Sequence, residues 1–162
     1  MKQLLFALFT FLTVATSAQH VGYTHNALSA YGCRLKYSVV KQDSSFCILV
    51  NVRSERMSLR NEPTMRIRTF NDEVITLKGV IVGGSSQSAG VITGNIVIPV
   101  TEISSTAQFP VTPEEFKMIN NGVSKVYLST APTDHERSFK KDKIGKKLYQ
   151  FYLNAKAKDE KF

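Results

Sequence analysis

The sequence has few of the residues that usually signal chemistry. It contains 2 cysteines and 3 histidines in 162 residues, and only His135 of the histidines lies outside the N-terminal segment. A metal site of several imidazoles and thiolates in one local motif is thereby excluded. Neither G-x-S-x-G nor G-x-x-x-x-G-K-[ST] occurs, so a nucleophile elbow and a P-loop are absent, and the serines Ser85, Ser86 and Ser88 have no obvious partner base. Acidic residues are scarce as well, 13 against 21 Lys and Arg, for a formal net charge of +8. No internal repeat is visible. Past the first 18 residues no apolar run approaches the roughly 20 residues that a membrane-spanning helix requires.

What the chain does have begins at its start. In MKQLLFALFTFLTVATSA, Lys2 precedes an apolar run from Leu4 to Leu12 and then small residues up to Ala18, the layout of a secretory signal. Residues 1–18 are expected to be removed, leaving one domain's worth of chain in the periplasm or outside the cell. Cys33 lies too far along to be the lipid-bearing cysteine of a lipoprotein. Because the leader carries a single lysine and no acid, the mature chain stays strongly basic and favours anionic neighbours: an envelope component, a glycan or an acidic protein. Export makes nucleic acid a poor partner.

From residue 32 to the end a single mainly-β domain is predicted, preceded by a flexible segment at 19–31. In CRLKYSVV, Cys33, Leu35, Tyr37 and Val39 alternate with polar residues, and FCILVNV (46–52) is apolar enough to be covered on both faces. A hairpin turn centred on Asp43 would set Cys47 opposite Val39. Cys33 would then lie about 20 Å away at ~3.3 Å per residue, too far for a disulfide. MRIRTF and EVITLKGVIV flank Asn71 and Asp72, giving a second hairpin over an odd loop centred on Asp72, with Ile67 and Leu77 on one face. GGSSQSAG (83–90) reads as a flexible polar connection. Val91–Ile98 reads as one strand with Ile92, Ile96 and Ile98 on a shared face, and Pro99 marks its end or an edge.

VTPEEFKMINNG predicts a short helix before the last strand, Val123–Thr130. Thr112 is its N-cap, Pro113 its first residue, Glu115 completes the capping box and Gly122 stops it. Ile144, Leu148, Phe151 or Tyr152, and Ala155 recur at helical spacing, which predicts an amphipathic C-terminal helix over 143–156. There Gly145 costs about 1 kcal/mol relative to alanine. The whole pattern specifies an antiparallel β-sandwich-like domain.

Three stretches, MRIRTFNDEVITLKG, FPVTPEEFKMINNGVSKVYLST and FKKDKIGKKLYQFYL, give the chain a resemblance to small exported β-rich proteins of unknown function common among Gram-negative gut bacteria. The likeness spans most of residues 33–153. It implies the fold and assigns no catalytic residue.

Several residue groups are candidates for function. Lys140, Lys141, Lys143, Lys146 and Lys147 crowd the start of the predicted C-terminal helix, where the helix dipole disfavours cations, so helix stability does not account for them. With Tyr149 and Tyr152 they form the proposed contact for an anionic partner. Asp134, His135 and Glu136 are residue types that ligate a metal or share a proton, and a small hydrolase or metal-dependent enzyme centred on them is the rival reading. Adjacent side chains diverge in an extended loop, which counts against it. Cleavage after Ser17 would begin the chain Ala18-Gln19-His20, a square-planar nitrogen site for Cu(II) or Ni(II), and cleavage after Ala18 removes it. No catalytic residue and no cofactor is expected, and Cys33 and Cys47 are read as buried free thiols.

Overall fold

The computed structural model describes residues 19–159, so the leader reading at 1–18 lies outside the described residues. Two antiparallel sheets enclose the core. The larger is built from β1 (Val21–His25), β2 (Cys33–Gln42), β3 (Ser45–Ser54), β8 (Ile96–Val111) and β7 (Val80–Thr93), in that spatial order. The smaller has the order β11 (His135–Ser138), β9 (Val123–Leu128), β5 (Thr64–Thr69), β6 (Val74–Lys78). A two-stranded pair of β4 (Ser58–Leu59) and β10 (Thr130–Ala131) completes the strands, and α1 (Pro113–Ile119) and α2 (Gly145–Asp159) pack on each other, with α2 also against β2. This is the predicted β-sandwich-like fold, but the strand after α1 is not the last: β9 ends at Leu128, and the short strands β10 and β11 follow it.

Period-two burial makes the core. Leu35 and Tyr37 of β2, Ile48, Val50 and Val52 of β3, and Ala107 and Phe109 of β8 are buried from the larger sheet. Met65, Ile67, Ile75, Leu77, Val126 and Leu128 are buried from the smaller, and all belong to one apolar cluster. The helices close it with Phe116, Ile119, Leu148 and Tyr152, while Ile144 joins from just before α2.

Both hairpin registers differ from expectation. β2 and β3 turn over Asp43-Ser44, with Asp43 at φ 52°, so Cys47 faces Val40 rather than Val39. The reason is burial: the observed register brings Ile48, Val50 and Val52 beside Val39, Tyr37 and Leu35, whereas the expected one would set Asn51 opposite Leu35. Cys33 pairs with Ser54, and both cysteines are free and buried. In the second hairpin Ile67 faces Ile75, and Leu77 faces Met65. A shift of two residues keeps the parity, so the expected residues still reach the core.

Three segments differ from expectation. Val21–His25, within the segment expected to be flexible, is an edge strand paired with β2. GGSSQSAG is part of β7, not a connection. Val91–Ile98 is not one strand: Gly94 (φ 61°) and Asn95 turn the chain between Thr93 and Ile96, so Ile92 faces Val97 and lies on the opposite side of the ribbon from Ile96 and Ile98. Pro99 lies inside β8, where that strand has no partner but β7.

The result is a projecting arm. β3 pairs with β8 only as far as Ile103, and from there to the turn β7 and β8 have only each other. At its root Glu102 accepts hydrogen bonds from Arg34 (2.8 Å) and Arg53 (2.7 Å), which ties the arm to the body.

Candidate functional site

The lysine cluster sits where β11 gives way to α2. Lys140, Lys141 and Lys143 precede the helix, Lys146 and Lys147 lie in its first turn, and all five are exposed. None of the five forms an ion pair in the described structure. The carboxylate between them is turned the other way. Asp142 accepts hydrogen bonds from the backbone N–H groups of Ile144 (3.3 Å), Gly145 (2.8 Å) and Lys146 (2.9 Å) at the start of α2, and from that of Val123 (3.0 Å) at the start of β9. Burial alone would push this carboxyl up, but the four backbone donors together hold it below its ordinary value. Asp142 thereby satisfies the orphan donors of the helix start and orders the segment that carries the lysines.

The two tyrosines of the expected contact do not join the lysines in solvent. Tyr152 is a core residue, stacked on Phe116 with ring centroids 4.3 Å apart and meeting Phe46 edge-on at 5.0 Å. Tyr149 is half-buried against the same cluster. The helical spacing that includes Tyr152 marks the face that α2 packs against β2 and α1, and Tyr149 lies beside it.

Asp134, His135 and Glu136 diverge. Asp134 accepts from the Tyr127 hydroxyl (2.8 Å) and pairs with Arg60 (3.5 Å), and Glu136 pairs with Lys125 (2.7 Å), all at the solvent side of the smaller sheet. His135 points inward and is buried. Among the described residues no group of three or more His, Cys, Asp and Glu side chains converges for a metal. His20 is exposed one residue before β1, and Ala18, which the N-terminal site would need, lies outside the described residues.

Folding does bring His135 to a partner that sequence spacing did not suggest. Its Nδ1 lies 3.7 Å from Cys33 Sγ, its Nε2 3.0 Å from the Tyr23 hydroxyl, and that hydroxyl 3.0 Å from the Tyr37 hydroxyl. One direction of donation uses every hydroxyl hydrogen: Tyr37 donates to Tyr23, Tyr23 to Nε2, and Nδ1–H to the sulfur. His25 stands edge-on to His135 at 4.9 Å, and Arg137 lies 3.3 Å from His25 Nδ1. Burial pushes the Cys33 thiol up to about 11. Burial, then His25 and Arg137, pushes the His135 imidazole down to about 4. Both groups are neutral at pH 7, so the pair supplies neither a thiolate nor an imidazolium and acts as a polar clasp between β1, β2 and β11.

No helix among the described residues is long and apolar enough to cross a membrane. Compared with known proteins, the chain matches no protein-family model, no curated protein and no solved structure.

Proposed function

We propose that the protein is an exported, non-catalytic binding domain that holds an anionic partner, an envelope component, glycan or acidic protein, on its lysine cluster. The observation that carries this reading is the state of the five lysines: exposed, without an ion pair in the described structure, and set on a segment whose one carboxylate faces the backbone. Lysines arranged so do not stabilise the helix start, and their field is open to an incoming anion. Export rests on the layout of residues 1–18.

The test is retention of the purified, processed protein on vesicles containing anionic lipid and on an acidic glycan matrix, each at low and high salt. Replacement of all five lysines by glutamine is expected to lower retention at least tenfold, with the wild-type interaction weakening steeply as salt rises. Retention unchanged by the replacement, or no retention of the wild type on either matrix at low salt, overturns the reading.

A further inference from the structure

The four edges of the two sheets are not alike. β1, β6 and β11 are 5, 5 and 4 residues long, and β6 and β11 carry charged side chains. Those are ordinary means of keeping an edge from pairing with another chain. β7 is 14 residues long and fully exposed. No charged residue and no proline occurs in it, and the uncharged stretch runs from Gly79 to Thr101 in a chain that is 21% charged as a whole. The arm's tip is apolar on both sides, with Ile92 (76% exposed) and Val97 (63%) on one face and Val91 and Ile96 (66%) on the other.

The sequence of β7 also reads nearly the same in both directions. Val80-Ile81-Val82-Gly83-Gly84-Ser85-Ser86 is answered, backwards from the far end, by Thr93-Ile92-Val91-Gly90-Ala89-Ser88-Gln87. Such a strand matches its own copy when the two run antiparallel about a two-fold axis. The axis must pass through a pair of identical residues, and Gln87 is one of the two at the middle of the strand. Ser86 then faces the partner's Ser88, and Gly84 the partner's Gly90. Counting outward from Gln87, Ser85 faces the partner's Ala89, Gly83 its Val91, Val82 its Ile92 and Ile81 its Thr93, so small residues meet beside the axis and β-branched residues meet at the ends.

We infer that β7 is a dimerisation strand, joining two copies of this chain edge to edge about Gln87. This goes beyond the lysine-cluster reading and does not depend on it. Pairing would satisfy the free backbone groups of both edges, and it brings each apolar tip alongside the root of the other arm. A lipid bilayer would cover the tip's faces and leave its open edges unsatisfied, which hydrocarbon does not tolerate. A foreign strand would have no need of a palindrome.

The test is the mass of the purified, processed protein by analytical ultracentrifugation from 1 to 100 μM (on the order of typical association constants). A dimer is expected. The double variants S86K/S88K and S86E/S88E each set like charges opposite one another across the axis, and each is expected to sediment as a monomer at least tenfold beyond the wild-type dissociation concentration. These positions are exposed and face uncharged Ile103 and Thr101 within their own hairpin, so unchanged circular dichroism is expected to show intact folding. Mixing the two variants is expected to restore a dimer containing one of each. A monomeric wild type, a dimer that survives either double variant, or a mixture that stays monomeric overturns the inference. Vesicle binding can fail or succeed in any of these cases.

Discussion

At the scale of the single residue, His135 makes stability depend on pH. It is buried, its Nδ1 and Nε2 are both engaged, and a proton added to it would have to sit near Arg137 and His25 without water. The unfolded chain takes up that proton near the ordinary imidazole value of 6.5, whereas the folded chain resists it down to about 4. Stability is therefore complete above pH 6.5 and declines as the pH falls through this window, by about 3 kcal/mol at full extent. Denaturant unfolding at pH 7.5 and pH 4 measures the decline. His135→Phe is expected to flatten it while lowering stability at pH 7.5, because Tyr23 loses its acceptor.

Gly145 is a second residue whose role is set by its surroundings. Read on its own it weakens a helix. In the fold a Cβ at this position would lie 2.7 Å from the Ile119 carbonyl oxygen and 2.8 Å from the Val123 nitrogen, so the start of α2 reaches the end of α1 only because no side chain intervenes. Gly145→Ala is expected to destabilise the protein by about 1–3 kcal/mol, the reverse of what helix propensity predicts, and thermal unfolding decides the sign.

At the scale of the element, local chemistry was legible and distant pairing was not. The box that starts α1 is complete within four residues, and the structure has it as read: Glu115 N–H donates to the Thr112 hydroxyl at 3.2 Å, and the Thr112 N–H to the Glu115 carboxylate at 2.8 Å. The faces of β5 and β6 survived a register error because a shift of two preserves alternation. The Gly94-Asn95 turn carried a recognisable signal, but apolar residues on both sides masked it, since the arm is apolar on both faces where a half-buried strand would alternate. The Cys33–His135 contact joins residues 102 apart and follows from the packing of the two sheets, which no local spacing encodes. Asp142 caps α2 through residues two to four positions further on, and only its bond to the Val123 N–H depends on where β9 begins. Asp142→Ala is expected to cost about 1–2 kcal/mol and to fray the first turn of α2, visible as faster amide exchange at Gly145 and Lys146.

At the scale of the whole molecule, a compact body with one extended ribbon implies two levels of order. Amides of Leu35–Tyr37 and Phe46–Val52 lie in strands paired on both sides, and they are expected to exchange only on global unfolding. Those of the arm from Ser86 to Thr101 depend on a two-stranded ribbon, which on its own is of marginal stability. Hydrogen exchange followed across protein concentration is expected to show arm amides that slow by at least tenfold as the dimer fills, with the body unchanged. Arm exchange independent of concentration would contradict the pairing of β7.

The difference between the long bare margin of the larger sheet and the three short ones also sets where assembly stops. A self-matching strand is consumed in the act of pairing; the outer strands then left on each copy are β1, β6 and β11, too brief or too charged to recruit another, and the outer margin of β8 from Ile96 to Glu102, which Pro99 interrupts and Glu102 closes with a charge. Growth thus has no second place to begin. A chain that displays so much uncharged strand would ordinarily be at risk of fibrils, and here the same strand is the reason the count ends at two.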